Sequence, residues 1–429
     1  MLFMGSQFSH FSSAQITATA ALVLAIVAYL HKLFSPWVEL PHLPEKWISF
    51  RGGLAWVLFK DDVRFTQDVV LDHERGVAII SLDSSRISWQ PLHGSTASND
   101  RKGRLLLYYY AVTGQLQELE LVGFPEDFEL HPLGINFFRA PNNSLTRLFV
   151  VNHGRVASTV EVMDVDYEKA QAVYVTTISD GDHLIMSANA VAPVSYNSFY
   201  VTNDHYLIRR KHPILPYTKT TWSLPLGWVT FVNFAFHDRP VCTIVAGGIP
   251  FANGILVTPT GKEVLVASAN TNDIRIYNRD PETNALSSRY DRVHVTFHPD
   301  NLSFDHSLDL NDQTVFDRQG KFLRGVIAAG CPDAGRMFCM AQSPQGCVAP
   351  SVVAEIRRGC GPDPCPFPAS FFKPGSKYYA RTLYADDGDH YPSSTTGDMD
   401  SKRGRLIVTG LYAKGLLDIT WDPREHPDC

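Results

Sequence analysis

Short apolar runs separated by turn residues recur along most of this chain. The stretch 251–280 shows the pattern most clearly, because its three β-type runs at 254–258, 263–269 and 273–277 are rich in Val, Ile or Leu. Each run is followed by residues typical of turns, such as Pro, Gly, Asn and Asp. Three strands in about thirty residues correspond to most of one blade of a β-propeller, in which a four-stranded antiparallel sheet repeats around an axis.

Similar runs continue through the rest of the chain with almost no helical periodicity. They lie at 69–71, 77–81, 105–111, 145–152, 159–165, 172–178, 190–194, 198–202, 241–246, 293–297, 322–329, 351–357, 378–384, 405–410 and 416–420. Many short strands at close spacing favour a propeller or a sandwich over βαβ units. At roughly 45–65 residues per blade, residues 36–429 would allow an all-β propeller of six blades with insertions.

The first 35 residues differ from this pattern. The run at 16–30 carries no charge and, extended back to Ser12, nears the roughly 20 residues that span a bilayer. We predict an N-terminal signal-anchor or transmembrane segment over residues 1–35. No basic segment precedes it and no small-x-small cleavage site follows it, so we expect it to be retained. The alternative is a helix buried in a protein core.

Charge and cysteine content narrow the partners and the compartment. The 38 basic and 44 acidic residues give a net charge of −6, and the absence of a basic run argues against a nucleic-acid partner. Five of the seven cysteines lie between Cys331 and Cys365, which predicts a disulfide-stapled insertion at 331–368 in an oxidising compartment. Zinc is the alternative, but C-x2-C pairs are absent. The sequon at Asn142 predicts a glycosylated domain in the secretory lumen or outside the cell.

Oxygen-bearing side chains stand at the starts of four separated β-type runs. They are Gln67 with Asp68, Asn189, Asn253, and Asp300 with Asn301. The innermost strands of a propeller line its channel, where hard oxygen donors with few carboxylates suit Ca²⁺. Two alternatives remain open: Asn and Asp are common at strand ends, and Asn253-Gly254 is also typical of a turn.

Several segments together resemble the serum paraoxonase/arylesterase family. They are HPLGINFF (131–138), LFVVNHGRVASTVEV (148–162), SFYVTNDHY (198–206), PFANGILVTPTGKEVLVA (250–267) and PDNLSFD (299–305), with VELP (38–41) before them and KRGRLIVTGLYAKGLL (402–417) after them. The resemblance implies a six-bladed propeller with two calcium ions in its central tunnel. One ion would be catalytic and polarise a lactone or ester carbonyl, and the other would be buried and structural.

The resemblance also implies which residues would hold these ions. Asn189, Asn253, Asp300 and Asn301 match ligands of the catalytic ion, and Gln67 stands where the family has a Glu, which should weaken binding. The structural ion would take Asp68, the backbone carbonyl of Ile135 and a further Asp, but Ala190 occupies that last position. We therefore expect one calcium ion, with the second in doubt.

The catalytic histidine pair of the family is incomplete in this chain. His153 matches one histidine, whereas Leu133 stands in the place of the other and His131 lies two residues earlier. Residues i and i−2 of an extended strand share a face roughly 6.5–7 Å apart, so we expect His131 in the same tunnel, either catalytic or structural. Asp204, in TNDHY, would orient His153 or a water, or would fix the strand end.

The family's long-range disulfide is also missing. Leu43 fills the position of its first cysteine, so ring closure must rest on strand pairing or on a different bond.

Three functions are compatible with these residues. The first is a monomeric, calcium-dependent hydrolase of lactones or aryl esters, in which the ion binds the carbonyl and His153 activates water with support from His131 or Asp204. The second is a membrane-tethered propeller that keeps calcium as a structural element and binds a hydrophobic partner or lipid. The third keeps an enzyme but changes the reaction, for example to lactone formation.

Overall fold

The computed structural model describes residues 50–86, 88–90, 95–96, 103–180, 183–206, 224–235, 239–343, 346–359 and 377–423. Over these ranges the chain forms 28 β-strands and one α-helix. The strands are β1 (Phe50–Arg51), β2 (Leu54–Leu58), β3 (Thr66–Asp72), β4 (Val77–Leu82), β5 (Trp89–Gln90), β6 (Ser95–Thr96), β7 (Arg104–Tyr108), β8 (Leu116–Glu118), β9 (Glu120–Val122), β10 (Pro132–Phe138), β11 (Thr146–His153), β12 (Ser158–Asp166), β13 (Gln171–Ile178), β14 (Ala188–Ser195), β15 (Ser198–Asn203), β16 (Gly227–Asn233), β17 (Val241–Ile249), β18 (Ala252–Val257), β19 (Glu263–Ser268), β20 (Asp273–Arg279), β21 (Leu286–His294), β22 (His298–Phe304), β23 (Val326–Cys331), β24 (Ser351–Arg358), β25 (Tyr378–Asp386), β26 (Ser394–Asp400), β27 (Arg405–Gly410) and β28 (Leu416–Thr420). The helix, α1, is Ala334–Gln342, and a short 3₁₀ helix occupies Ala269–Thr271.

The strands form six antiparallel sheets that repeat along the chain, which confirms the predicted six-bladed propeller. In chain order the blades are β3-β4-β7-β8, β10-β11-β12-β13, β14-β15-β16-β17, β18-β19-β20-β21, β22-β23-β24-β25 and β26-β27-β28-β2. Strand β9 adds in parallel to β13, β1 adds to the outer edge of β25, and β5 pairs with β6. The first strands of successive blades contact each other in a closed circuit, β3-β10-β14-β18-β22-β26-β3, so they line the axis.

Strand pairing closes the ring. The sequence leaves open whether closure depends on strand pairing or on a different bond. The N-terminal strand β2 is the outermost strand of blade six and pairs with β28 from Leu54↔Thr420 to Leu58↔Leu416. The blade therefore combines strands from both ends of the described chain, and five residue pairs hold them together.

The hydrophobic core is a ring of clusters between neighbouring blades rather than one central mass. Between blades four and five, for example, Leu265 and Ile276 pack in the same buried cluster as Phe304 and Val326. Corresponding clusters join each of the other five pairs of neighbouring blades. Strands such as β4 are buried on every residue because both of their faces meet another blade.

Three of the predicted runs fit the structure only in part. The run at 105–111 extends beyond β7, which ends at Tyr108. The run at 293–297 is divided, because β21 ends at His294 and β22 begins at His298. Within the run at 322–329, β23 begins only at Val326, and Phe322 lies before it. Phe322 is fully buried and its backbone N–H donates to Glu263 Oε2, so its burial reflects packing on the neighbouring blade rather than a place in β23.

The cysteine-rich segment contains both a helix and a blade strand. Helix α1 begins after Asp333, whose side chain accepts a hydrogen bond from the backbone N–H of Arg336. Cys339 and Cys347 form a disulfide, while Cys242 and Cys331 are free thiols among the described cysteines. Strand β24 lies within 331–368, so the sequence cluster spans part of blade five.

The predicted anchor at 1–35 lies outside the described residues. Within the described ranges, none of the helical segments has the length and apolar character needed to cross a bilayer.

Candidate metal centre

Every axial strand carries a β-bulge close to its first residues. The pairing register shifts between Thr66 and Asp68 in β3, Pro132 and Ile135 in β10, Ala188 and Val191 in β14, Ala252 and Ile255 in β18, Pro299 and Leu302 in β22, and Ser394 and Thr396 in β26. A bulge leaves its extra residue out of the ladder and redirects its side chain. Gln67, Asn189, Asn253, Asp300 and Asn301 all lie inside these shifts, so the predicted donors occupy equivalent positions at one end of the axis.

These five side chains share a second property. Within the described part of the chain, Gln67 Oε1, Asn189 Oδ1, Asn253 Oδ1, Asp300 Oδ1 and Asn301 Oδ1 are buried oxygens that lack a hydrogen-bond partner. The four amide side chains are 3–7% exposed. Burying a polar group without a partner costs free energy, and native proteins rarely tolerate it without a reason. Five such oxygens from four blades at one end of the axis indicate a site for an electron-poor group.

Direct backbone packing brings neighbouring axial strands together at this level. A Cβ atom added to Gly254 would lie 2.5 Å from the carbonyl oxygen of Asp300 and 2.6 Å from the Cα of Asn301. A Cβ at Gly134 would similarly lie 2.5 Å from the carbonyl oxygen of Asn189. Glycine at these two positions therefore allows the donor-bearing bulges to approach one another.

The surroundings of Asp300 favour the protonated form of its carboxyl in the absence of a cation. Burial and the nearby carboxyl of Asp68 raise the pKa of Asp300 to about 8, although a hydrogen bond from Asn253 and the charge of Arg86 act in the opposite direction. An acid in this position holds a proton at neutral pH unless a cation replaces it.

The chemistry of this donor set fits Ca²⁺. Among the described residues there is no group of three or more His, Cys, Asp or Glu side chains that would hold a softer metal. The donors are instead four amide oxygens and one carboxylate. Calcium accepts six to eight oxygen ligands in loose geometry, including amide carbonyls.

The residues expected around a second ion do not fit one. Asp68 Oδ1 accepts hydrogen bonds from Val69 N–H at 2.9 Å and Thr396 Oγ1 at 2.7 Å, and Oδ2 accepts from Ile135 N–H at 2.8 Å. The carboxyl is therefore satisfied by protein donors, and Ala190 brings no side-chain oxygen. Unlike the five oxygens described above, each oxygen of this carboxyl has at least one protein hydrogen-bond donor.

A small cavity beside Asp68 is lined by three titratable side chains. Asp68, Asp398 and His306 line a cavity of about 40 Å³. Burial raises the pKa of both Asp68 and Asp398 to about 7, and burial lowers the pKa of His306 to about 3. The groups lining this cavity therefore tend toward their neutral forms.

The two histidines predicted from the sequence are joined by a backbone hydrogen bond, but their rings form hydrogen bonds to different neighbouring blades. The N–H of His153 donates to the carbonyl of His131 at 3.1 Å. His153 Nε2 donates to the carbonyl of Ala188 at 2.7 Å, at the start of the axial strand of blade three. His131 Nδ1 lies 3.0 Å from Asp83 Oδ2, which follows β4 in blade one.

Regular strand alternation does not relate His131 to Leu133 in the structure, contrary to the expectation from the sequence. His131 precedes β10, and the bulge between Pro132 and Ile135 interrupts regular alternation. Leu133 packs in the hydrophobic cluster between blades two and three. The His131 ring contacts Asp83 of blade one, whereas Leu133 packs toward blade three, so the two side chains do not share one strand face.

Asp204 is placed at the same end of the axis, directly after β15. Its N–H donates to the carbonyl of Ser187, and its Oδ1 lies 2.5 Å from His205 Nδ1. Burial lowers the pKa of His205, but the charge of Asp204 and their hydrogen bond outweigh it, so the pKa is raised. The His205 ring stacks on Phe251, whose centroid is 6.1 Å away. This pair anchors the end of β15 next to Asn189.

Sequence reasoning missed Asp83 and Arg86 at this end of the axis. Both lie in the loop after β4 and are buried, Arg86 with 8% exposure. The only sequence signal is the pair of charges in SLDSSR (81–86), at the end of a largely apolar strand. This pattern is also typical of an ordinary turn. It also missed Thr396, which links Asp68 to Asn301 by donating to one and accepting from the other.

Comparison with known proteins identifies close relatives for most of the chain. The family model described as Arylesterase matches residues 76–311. Serum paraoxonase/arylesterase 1 of Mus musculus is 33% identical over 304 residues, which cover 70% of this chain and 72% of that protein. Serum paraoxonase/arylesterase 2 of Bos taurus is 31% identical over 288 residues, which cover 67% of this chain and 68% of that protein.

A solved structure with low sequence identity supports the fold alone. The holo form of the pyranose dehydrogenase PQQ domain from Coprinopsis cinerea superimposes with a TM-score of 0.50 and 10% identity, covering 89% of this chain and 98% of that one.

Proposed function

Because the chain belongs to the serum paraoxonase/arylesterase family, we propose that it is a calcium-dependent hydrolase of lactones or aryl esters. The observation that carries the proposal is the set of five unpartnered oxygens at the bulges of four blades. Gln67, Asn189, Asn253, Asp300 and Asn301 would hold one ion.

The protein groups around this site support a hydrolytic mechanism. When bound, the ion supplies an electrophile that polarises the substrate carbonyl and stabilises negative charge in the transition state. The amide donors hold their oxygens in fixed positions because the bulges and the close glycine contacts restrict the backbone. His153 and His131 lie at the same end of the axis, and one of the two takes the proton from the attacking water. Asp204 fixes the strand end beside Asn189.

A single calcium site agrees with the local chemistry. Asp68 is satisfied by protein donors and Ala190 offers no carboxylate. Gln67 supplies an oxygen without the negative charge that the resemblance leads us to expect. We therefore expect a weaker site than one with two carboxylates.

The test is turnover of a γ- or δ-lactone and an aryl ester by purified protein. Chelation should abolish turnover, and Ca²⁺ but not Mg²⁺ should restore it, because amide oxygens in loose geometry suit the larger ion. Asn253→Ala should weaken calcium binding at least about tenfold, since loss of an outer-shell partner alone costs that much. Asn278→Ala is the matched control, because Asn278 is exposed in the same blade.

The outcomes separate an enzyme from a binding module. Full activity of Asn253→Ala would refute the site. Calcium binding without turnover of any substrate in the panel would favour the tethered propeller that keeps the ion as a structural element.

We also propose that the domain faces the secretory lumen or the extracellular space. The residues of the sequon at Asn142 are exposed in the turn between β10 and β11, and the Cys339–Cys347 disulfide suits an oxidising compartment. We propose in addition that residues 1–35 attach the protein to the membrane and that it is a monomer. Glycosidase treatment of the full chain, expressed through the secretory pathway, would reveal a mass shift if Asn142 is modified.

A further inference from the structure

A buried carboxylate holds the ring of His131 at the end of the axis. Asp83 Oδ2 lies 3.0 Å from His131 Nδ1. The other oxygen, Oδ1, accepts from Ser85 N–H at 2.9 Å and from Ser85 Oγ at 2.6 Å. Both oxygens of Asp83 are therefore engaged, and the plane of the carboxylate is fixed.

The environment keeps Asp83 ionised. Burial acts to raise its pKa, but the hydrogen bond from His131 and the positive charge of Arg86 outweigh burial and lower it. An ionised carboxylate is only an acceptor, so Nδ1 of His131 carries the hydrogen. In the neutral ring Nε2 then carries the lone pair, which is the arrangement that a general base requires.

The backbone of His131 is equally constrained. Its N–H donates to Asn152 Oδ1 at 2.7 Å, and its carbonyl accepts from His153 N–H at 3.1 Å. Asn152 is fixed in turn by Glu161, whose Oε1 accepts from Nδ2 at 3.0 Å. Ring and backbone are thus both held before any substrate binds, which is how a preorganised site lowers the cost of orientation.

Arg86 connects this pair to the candidate metal centre. Its Nη2 donates to the carbonyl of Pro132 at 2.8 Å, directly after His131. Its charge interacts with both Asp83 and Asp300. The guanidinium therefore acts electrostatically on both the Asp83–His131 pair and the one carboxylate of the proposed calcium site.

We propose that Asp83 is a positioning residue that holds His131 as the proton acceptor for hydrolysis, in a pair that replaces the histidine lost at Leu133. This inference rests on the proposed function and deepens it. Asp83 and His131 come from adjacent blades, so the pair depends on the propeller and not on a local motif.

The proposed step balances without an additional reactant. Nε2 of His131 accepts a proton from water, and the water oxygen bonds to the carbonyl carbon. The carbon–oxygen bond to the leaving alcohol then breaks, and the proton passes from His131 to that oxygen. Ester and water give acid and alcohol, and the ring returns to its starting tautomer.

The experiment combines kinetics with spectroscopy of the full chain. Asp83→Asn should lower kcat about 100-fold or more with KM unchanged, because it disturbs general-base catalysis rather than binding. Asp83→Glu should recover part of the loss. In a His131→Gln background, Asp83→Asn should have no further effect, because Asp83 acts through His131. Asp305→Asn is the control, because this buried carboxyl lies 3.8 Å from His73 and follows the opposite end of β22.

Each outcome decides the matter. ¹⁵N spectra should show His131 protonated at Nδ1 in the wild type, with this preference weakened in Asp83→Asn. An Nε2-protonated ring in the wild type, or an unimpaired kcat in folded Asp83→Asn, would overturn the inference while leaving calcium-dependent hydrolysis intact. If Asp83→Asn does not fold, Ser85→Ala provides the test. It removes the hydrogen bond from Ser85 Oγ to Asp83 Oδ1 and should lower kcat by a smaller factor than the roughly 100-fold expected for Asp83→Asn. Complete absence of turnover by the calcium-loaded wild type would overturn both proposals.

Discussion

Replacing Gly254 with alanine tests the proposed calcium site without removing any ligand. The added Cβ would lie 2.5 Å from the Asp300 carbonyl oxygen, about 0.9 Å inside the 3.4 Å at which ordinary contact begins. The obstructing atoms belong to the backbone of β22, so no side chain can rotate to relieve the contact. Strands β18 and β22 must separate, and Asn253 moves away from Asp300 and Asn301.

The expected effects can be given magnitudes. Overpacking of this kind costs about 1–3 kcal/mol of unfolding free energy. Separating the strands moves the Asn253 oxygen away from the oxygens of Asp300 and Asn301, so fewer donors can reach one ion and we expect calcium affinity to fall as well. For the wild type, calcium at 100 times its Kd should stabilise the fold by about 2.7 kcal/mol, whereas a hundredfold weaker affinity would reduce this gain to about 0.4 kcal/mol.

The assay is denaturant unfolding with and without calcium at one fixed concentration. Gly247→Ala is the control, because a Cβ at that exposed position meets no atom within 4 Å. It should show the full calcium-dependent gain. If folded Gly254→Ala also retained the wild-type gain, the reasoning that the β18 and β22 bulges jointly form the site would be refuted.

Three other predictions concern the charge and number of the ions. Gln67→Glu should tighten calcium binding at least about tenfold in calorimetry, since it adds a carboxylate to a site with one; an unchanged Kd would contradict this role for residue 67. Because the pKa of Asp300 is raised to about 8 in the cation-free protein, calcium must displace a proton, and its affinity should increase with pH up to about 8 and then level off. Without calcium, the folded protein holds this proton more tightly than the unfolded chain does. The unfolding free energy should therefore fall as the pH rises from 3.8, the ordinary pKa of an Asp carboxyl, toward about 8. A calcium affinity and a stability that do not change with pH would count against the assignment. Elemental analysis should find one calcium per chain in the wild type and in Asp68→Asn, because hydrogen bonds already satisfy Asp68; two tightly bound ions would show that the second site persists.

Sequence reasoning reached the fold, and it selected the residues whose oxygens the structure brings to one end of the axis, because both depend on local patterns. That these residues bind calcium stays a prediction. Apolar runs bounded by turn residues predict strands, and Asn253 or Asn189 can be recognised from the start of a run. The bulges that bring these residues to the axis were not predicted, because a bulge is a mismatch between two strands and only pairing reveals it. The same limit explains the misplaced start of β23, since Phe322 is buried by a neighbouring blade.

The Asp83–His131 pair was out of reach for a similar reason. The two residues are 48 positions apart and belong to different blades, so nothing in the spacing joins them. Their contact exists only because the ring places the loop after β4 against the start of β10. The disulfide was predicted as a class, but the choice of Cys339 and Cys347 required α1 to bring them together.

The pairing of β2 with β28 has a consequence for synthesis on the ribosome. Thr420 Oγ1 contacts the carbonyl of Leu54 across 366 positions of sequence, so this edge cannot form until the chain has emerged through β28. While blades one to five assemble, β2 must wait with its backbone unpaired and with Leu54 and Trp56, which remain 67% and 60% exposed in the finished fold, open to other chains. Closure is therefore a late event in biogenesis, and a nascent chain halted before residue 416 would carry an open ring and an unsatisfied strand.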